Sequence, residues 1–381
     1  MSAAGSGLGP ALEAVMERVA VTAEAVGPRF PLYAAPDDGR WTTTGRGSWT
    51  GGFWAGLLWL RARYTGAEAD RRAAAACTAR LEPWVAADTA TRGLILWYGT
   101  APAGYDAGAA ALRTRAARAV LAAHDRELGL VPWGDALGGP RLLARVDGVP
   151  GTVPLLAGAG PQGVAAAAEH LHRHLDLCLG ANPAAKAPAA KAPGVPAPGV
   201  QAPAVLTPAL RFDAGTGWQP CADPPPGWSR GRAWLLLAVA DALVRPELAA
   251  AGPARAADRL DTVTELLLAQ GAFPVPAADD ARPDGPLDTS AAAITAVALL
   301  KLARVPGPRA AQCADRAGAI LDRLVARHVS GPDSGRPPGM LLDGCYDAGK
   351  SLAVRHELVW GDFFLALALA ALHGVVDITR I

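Results

Sequence analysis

The sequence predicts an all-α protein whose helices form a closed ring of helical hairpins, and three observations favour this class. Apolar residues recur at helical spacing along ten long stretches, whereas no comparable set of alternating strand patterns is present. Connectors rich in proline and glycine separate these stretches, as is typical of antiparallel helices. No short, strict repeat is visible, so a closed ring is favoured over an open stack of repeats.

The predicted helices run in order from Ala11 to His373. Alanine, which has the highest helix propensity, is frequent in most of these stretches, and apolar residues recur at helical spacing in each. Asp288 stands where a helix cap is expected, just before Thr289. In chain order the helices are Ala11–Val26, Gly52–Tyr64, Arg71–Ala87, Ala107–Leu128, Gly163–Leu179, Arg232–Val244, Ala254–Gln270, Thr289–Leu302, Ala310–Arg327 and Trp360–His373.

Residues 183–208 differ from the rest of the chain. Ala-Lys-Ala-Pro and Pro-Gly-Val units recur there with almost no large apolar residue, so this segment cannot bury a core and is predicted to be an extended surface loop. Helical patterns continue on both sides of it. We therefore interpret residues 1–381 as a single domain with an inserted loop; a linker between two domains is the alternative.

Charge and composition exclude several classes of partner. The formal net charge is +1, without a basic stripe or an acidic tail, so we expect no nucleic-acid partner. No apolar run reaches the roughly 20 residues of a membrane span, and residues 1–10 lack the features of a secretory signal. We expect a cytoplasmic protein that binds a small molecule rather than a membrane. The sequence leaves its oligomeric state open.

Metal and cofactor signals are also missing from the sequence. Five scattered cysteines without a C-x-x-C pair argue against a disulfide framework and against structural zinc. His170, His172 and His174 alternate along a predicted helix, which spreads them around its circumference. No glycine-rich phosphate loop follows a strand pattern. We therefore expect no metal and no cofactor.

The run Gly227–Trp234 (sequence GWSRGRAW) places two indoles and a guanidinium within about two helical turns. If a helix opens near Ser229, Arg230 and Trp234 lie on one face of it. Flat aromatic faces stack on the C–H faces of a sugar, and a guanidinium donates hydrogen bonds to hydroxyls or a carboxylate. Any single Trp can be core filler, but the chain has eleven, and this excess over Phe and Tyr is common in carbohydrate sites.

Four further runs accompany this one in a fixed order: Trp49–Leu60, Val146–Val149, Leu287–Ile294 and Val359–Phe364. In order, spacing and content, the five runs resemble the unsaturated glucuronyl hydrolases (glycoside hydrolase family 88) and the related unsaturated rhamnogalacturonyl hydrolases. The likeness extends from about Pro31 to Leu372. It implies an (α/α)6 barrel, a ring of six helical hairpins, with the active site at one mouth of the ring.

The resemblance also implies a mechanism. Members of this family act on a sugar with a C4–C5 double bond left by a polysaccharide lyase. An aspartic acid protonates the enol ether, water adds at C5, and the resulting hemiketal opens to release the leaving group. Asp147 matches this residue, and partial burial that raises the pKa of a carboxyl would suit such an acid. The alternative is that Asp147 only caps a helix before Val149.

The resemblance further assigns the lining of the sugar pocket. Trp54, Arg230 and Trp234 are expected in the wall, with Trp49, Trp228 and Trp360 close behind. Phe53 and Trp59 are expected in the core. Asp288 is interpreted as a helix cap, and Asp362 as a residue that orders its own loop.

Two departures from the family pattern concern polar residues of the site. The family has a His-Asp pair before Gly-Phe, and that Asp is its second carboxylate; the matching stretch reads Ala90–Leu94 (sequence ATRGL), so Thr91 replaces it. Asp88 could substitute only with a shifted loop. A family histidine before the Phe-Asp pair at 212–213 is replaced by Pro208.

A third departure lies before the Trp-Gly-Asp run. The family places a serine there that helps bind the uronate carboxylate, and this position is Glu357. A carboxylate facing a substrate carboxylate would repel it unless one is protonated or Arg355 intervenes. This replacement favours a ligand other than an ordinary unsaturated uronide.

Three functional hypotheses remain open on the sequence. The first is a diverged family enzyme that acts on a glycoside or cyclic enol ether, with Asp147 as proton donor and acceptor, in a specialised bacterial pathway. The second is a non-catalytic sugar-binding protein that has kept the aromatic pocket. The third is an ordinary unsaturated uronyl hydrolase in which another acid compensates for Thr91.

Overall fold

The structure of the protein, a computed structural model, describes residues 7–180, 206–252, 256–269 and 274–381. The predicted insertion at 183–208 therefore lies outside the described residues except for its last three. The α-helices of the described residues are α1 (Leu8–Val26), α2 (Gly51–Thr65), α3 (Glu68–Ala79), α4 (Ala107–Ala122), α5 (Thr152–Ala157), α6 (Pro161–Leu179), α7 (Ser229–Leu243), α8 (Pro246–Ala249), α9 (Ala256–Ala269), α10 (Thr289–Leu302), α11 (Ala310–Arg327) and α12 (Val359–Leu372). A π-helix spans Gly93–Trp97.

The predicted helices agree with the observed ones, with differences at several ends. The predictions for α10 and α11 match at both ends, whereas α7 begins at Ser229, three residues before the predicted Arg232, and α4 ends at Ala122 instead of Leu128. The predicted helix Arg71–Ala87 is too long, because α3 ends at Ala79 and a short 3-10 turn containing Pro83 follows. Proline lacks the amide hydrogen that would continue the α-helix.

The described residues are mainly helical, as predicted, but they also form two small sheets that the sequence did not predict. The first has the strand order β2 (Trp41–Thr44), β1 (Phe30–Ala34), β7 (Leu352–Leu358) and β6 (Gly344–Asp347); the second has β3 (Leu143–Arg145), β4 (Ala209–Asp213) and β5 (Gly217–Pro220). All neighbouring strands are antiparallel. Such short strands, three to seven residues long, give too few alternations for a recognisable pattern.

Six helices contact one another in cyclic order around the core. α2 packs on the π-helix, followed by α5, α7, α10 and α12, and α12 returns to α2. α10 and α12 are buried on all sides, as expected for inner helices. The amphipathic helices α1, α6 and α11 bury one face against this inner set. The arrangement is that of an inner and an outer layer of helices.

Gly52 permits a close approach of two inner helices. A Cβ atom at this position would lie 2.2 Å from the carbonyl oxygen of Ile95, so any larger residue would push α2 away from the π-helix. Next to it, the rings of Phe53 and Trp234 stack with centroids 6.2 Å apart. Phe53 and Trp59 are fully buried, as predicted.

Candidate active site

A cavity of about 820 Å³ lies at one end of the inner helices. Much of its lining comes from segments that immediately precede these helices. Trp49 precedes α2, Thr91 precedes the π-helix, Asp147 precedes α5, Trp228 precedes α7 and Pro286 precedes α10. Residues far apart in the sequence therefore converge at the N-terminal ends of five inner helices.

Asp147 lies in the wall of this cavity. Strand β3 leads directly into the short 3-10 turn Val146–Gly148, which carries the Asp147 side chain into the cavity at 16% exposure. Arg145 donates from Nε and Nη2 to the two carboxylate oxygens, both at 3.0 Å. The Arg145 guanidinium also lies 4.5 Å from the ring centroid of Trp133. Asp147 is thus held in a fixed orientation at a site that a small molecule can reach.

Thr91 lines the same cavity as Asp147. Its hydroxyl lies 2.9 Å from that of Thr89, and its carbonyl oxygen accepts from the backbone amide of Ile95 at 3.0 Å. The two positions that the sequence paired as carboxylate sites therefore share one cavity, with a carboxylate at one and a hydroxyl at the other. Asp88 does not compensate, because it pairs with Arg141 at 2.7 Å and is not part of the lining.

The Trp-Arg-Trp run forms the first turns of α7, and Trp228, Arg230 and Trp234 all line the cavity. The Arg230 guanidinium lies 5.1 Å from the ring centroid of Trp228. The spacing of four residues does place Arg230 and Trp234 on one face, as predicted. Arg232 pairs with Asp280 at 2.6 Å instead of lining the cavity.

Arg230 is 3% exposed and serves mainly as a structural brace. It pairs with the buried Asp288, and it donates to the carbonyl oxygens of Cys345 at 2.6 Å and Tyr346 at 2.7 Å. Asp288 also caps α10 through the amide of Ser290 at 3.1 Å, as the sequence predicted. Arg230 therefore ties α7 to α10 and to β6, and its charge is already compensated by a carboxylate.

Two aromatic residues that the sequence analysis missed complete the wall. Tyr346 accepts a hydrogen bond from Trp49 Nε1 at 3.0 Å, and Trp133 packs on Arg145. Trp360 is fully buried behind Trp49, with ring centroids 4.8 Å apart, and does not itself line the cavity. Tyr346 lies on β6, a strand that the sequence analysis did not detect. In the sequence, nothing except its indole ring marked Trp133 as a residue of the cavity wall.

Three predicted lining residues lie elsewhere. Trp54 and Glu357 line a separate small pocket with Arg18 and Asp362, and Arg355 is exposed on β7. Glu357 is fully buried and accepts from Arg18 Nε at 2.9 Å and Nη2 at 2.5 Å. The expectation that Glu357 would face the substrate, with Arg355 to neutralise it, is therefore corrected: its partner is Arg18, outside the main cavity.

Burial governs the acidity of the two carboxyl groups in the small pocket, Glu357 and Asp362. Burial raises the pKa of Glu357, although hydrogen bonds from Arg18 oppose the rise. Burial also raises the pKa of Asp362 well above its usual range, and the nearby Glu357 adds to this effect. Asp362 lies in the first turn of α12 and not in a loop. The guanidinium of Arg18 thus lies near two buried carboxyl groups, those of Glu357 and Asp362, and this cluster joins α1, β7 and α12.

The described part of the chain holds no group of three or more His, Cys, Asp or Glu residues suited to a metal ion. His170 and His174 are buried on α6; His170 Nδ1 accepts from the amide of Val131 at 3.0 Å, and burial lowers the pKa of His174 to about 4. The five cysteines are free. No described helix is long and apolar enough to cross a membrane.

Solved structures show the same fold over nearly the whole chain. The unsaturated glucuronyl hydrolase of Bacillus sp. GL1, responsible for the degradation of glycosaminoglycan, has 21% sequence identity and a TM-score of 0.76 over 97% of both chains. An unsaturated glucuronyl hydrolase specific for heparin has 18% identity and a TM-score of 0.77 over 98% of this chain and 99% of that one. A variant of the Streptococcus agalactiae enzyme in complex with the sugar dGlcA-GalNAc6S has 16% identity and a TM-score of 0.68, over 97% and 92% of the two chains.

Sequence comparison adds nothing to these structural matches: no family model and no curated protein matches the chain. The likeness predicted from five sequence runs is confirmed by the structures, at low sequence identity. The chain has the fold of the unsaturated glucuronyl hydrolases.

Proposed function

We propose that the protein is a diverged glycoside hydrolase that hydrates an unsaturated sugar in the 820 Å³ cavity, with Asp147 as the proton donor and acceptor. The cyclic order of the inner helices supports an (α/α)6 barrel formed by a single domain. The observation that carries the proposal is that Asp147 and Thr91, the two positions matched to the carboxylates of the family, line one cavity together with three tryptophans of the matched runs.

The proposed reaction needs only one carboxyl group. Protonated Asp147 delivers its proton to C4 of the C4–C5 double bond, and the ring oxygen stabilises the positive charge that develops at C5. Water then attacks C5 and returns a proton to the Asp147 carboxylate. The resulting hemiketal opens, and the aglycone leaves from C1 of the opened chain. Direct displacement at C1 normally requires two carboxylates, and Thr91 supplies none.

The remaining residues of the wall orient the sugar. The faces of Trp49 and Trp228 offer stacking surfaces, and Arg145 holds the Asp147 carboxylate through two hydrogen bonds. Each oxygen of that carboxylate keeps a lone pair for a proton or a substrate atom. Arg145 therefore orients the carboxyl group, and its positive charge favours the ionised form that takes the proton back from water.

A panel of unsaturated disaccharides tests the proposal, with loss of the enol-ether absorbance and release of the aglycone as readouts. The panel includes glycosides linked through oxygen and through sulfur. Hydration at C4–C5 releases the leaving group from both, because the C1 bond breaks only after the ring has opened. Direct displacement with protonation of the leaving atom favours the oxygen-linked compounds alone. Turnover of both linkages is expected, and inertness of the whole panel contradicts the proposal.

A second candidate function is sugar binding without turnover. The observation that favours it is the hydroxyl at Thr91, since the family position carries a carboxylate. Saturable binding of the same disaccharides without product at any pH between about 4 and 9 would support this candidate over the enzyme.

A further inference from the structure

The charged side chains of the cavity are paired with one another. Four cations line it, and each faces a carboxylate: Arg145 with Asp147 at 3.0 Å, Lys350 with Asp347 at 2.7 Å and Asp223 at 3.1 Å, Arg282 with Asp279 at 4.0 Å, and Arg230 with Asp288. While Asp147 is ionised, the described part of the lining therefore offers no cation without a carboxylate partner.

The balance of charge in this wall does not favour an anion. Four carboxylates line the cavity beside the four cations, and Asp288 lies directly behind Arg230 as a fifth. The N-terminal ends of the inner helices add partial positive charge, but Asp288 already caps one of them. A bound carboxylate would have to compete with the carboxylate that each cation already faces, or remain unpaired in a partly enclosed site.

We propose that this cavity selects a sugar whose C6 group is uncharged, such as an ester or amide of an unsaturated uronic acid, over the free uronate. The proposal rests on the proposed function for the identity of the reaction, but it concerns only the charge of the ligand. Glu357, which the sequence placed opposite a substrate carboxylate, has no part in this selection, because it lies outside the cavity and is paired with Arg18. The steps of hydration are the same for both compounds, but the neutral C6 group withdraws more electron density from the double bond than a carboxylate does, so the charge selection is judged on Kd and not on kcat/KM alone.

Two matched pairs of compounds test the selection. The first pair is the 4-nitrophenyl glycoside of an unsaturated uronic acid and its primary amide, which have nearly the same size and differ in charge; kcat/KM is compared for the two. The second pair is the saturated 4-deoxy analogues of the same acid and amide, whose Kd values are measured by calorimetry. We expect a preference for the amide of about tenfold or more in both ratios. Raising the salt concentration should weaken that preference, because it screens repulsion of the acid alone.

A substitution in the cavity wall tests the same selection by changing the charge of the protein instead of that of the ligand. Asp347→Asn removes one of the two carboxylates that hold Lys350, so affinity for the uronate analogue should rise severalfold relative to affinity for the amide. Asp315→Asn is the control, since it changes the net charge equally on the exposed face of α11, away from the cavity.

The outcomes separate this inference from the proposed function. Turnover of both glycosides with equal or tighter binding of the acid analogue overturns the selection and leaves the enzyme. Tighter binding of the amide analogue without turnover of either glycoside supports the selection and overturns the enzyme. Equal affinities for the two analogues, or no saturable binding of either, overturn the selection.

Discussion

Arg230 of α7 and Asp288 at the start of α10 form a buried ion pair between residues 58 positions apart in the sequence. Their side chains are 4% and 0% exposed. Arg230 lines the cavity, Asp288 lies directly behind it, and Arg230 also donates to the backbone of β6. The pair therefore helps to hold α7, α10 and β6 together at this part of the cavity wall.

Asp288→Ala should lower the free energy of unfolding by about 3–5 kcal/mol, because it leaves the Arg230 guanidinium buried without a counter-charge. Asp288→Asn keeps the oxygen that caps α10 and removes only the charge, so its loss should be smaller by about 1 kcal/mol. Urea denaturation of the two variants measures the difference. A loss below about 1 kcal/mol for the alanine variant would show that the pair contributes little.

Glu357→Gln should destabilise the protein without affecting sugar binding. The change leaves Arg18 with a neutral partner in a buried position, and a loss of about 3 kcal/mol is expected. Because Glu357 lies outside the cavity, the Kd of a bound sugar should stay within about twofold of the wild-type value. A larger change in Kd with an unaltered unfolding midpoint would return Glu357 to the binding site.

The buried Asp362 predicts a dependence of stability on pH. Its pKa is raised well above the usual range by burial, whereas in the unfolded chain it is about 3.9. The folded protein therefore binds this proton more tightly than the unfolded chain does. Through this group, the free energy of unfolding should fall as the pH rises from about 4 through the pKa of the folded state.

Asp362→Asn imitates the protonated carboxyl and should flatten this fall. Urea midpoints of the variant and the wild type, measured at intervals from about pH 4 to pH 8, give the two slopes. Parallel curves would mean that Asp362 does not hold the extra proton.

The indoles of the cavity can be separated from those of the core by their effect on sugar affinity. Trp228→Leu keeps an apolar side chain but removes the flat ring, and affinity should fall by about tenfold. Trp54→Phe is the matched control in the small pocket, where a loss of stability and an unchanged Kd are expected. Calorimetric titration of both variants with the same sugar decides this. Equal losses of affinity in the two variants would mean that Trp54 also contacts the bound sugar.

Much of the fold could be predicted from the sequence because inner and outer helices carry strong patterns. The start of α10 follows from Asp288, whose cap could be recognised from Asp-Thr-Ser alone. The sheets could not be predicted in this way, since β3 is only three residues long and its partner β4 lies more than 60 positions away. Pairing over such a distance depends on the whole fold.

Residues of the site could be predicted where a short local motif determines which face of a helix carries them. Arg230 and Trp234 share a face because α7 begins where its sequence indicated. Glu357 could not be placed, because its partner Arg18 is 339 positions away and only the structure brings the two together. Tyr346 was missed for the same reason, since it enters the wall only through the pairing of β6 with β7.

The most direct test of the account is the turnover of Asp147→Asn beside that of Asp223→Asn, a second carboxylate of the same wall. The account predicts that Asp147→Asn lowers kcat for an unsaturated glycoside by at least about 100-fold, with the melting temperature nearly unchanged, whereas Asp223→Asn keeps most of the activity. Wild-type kcat in the Asp147 variant would contradict the assignment of the proton donor.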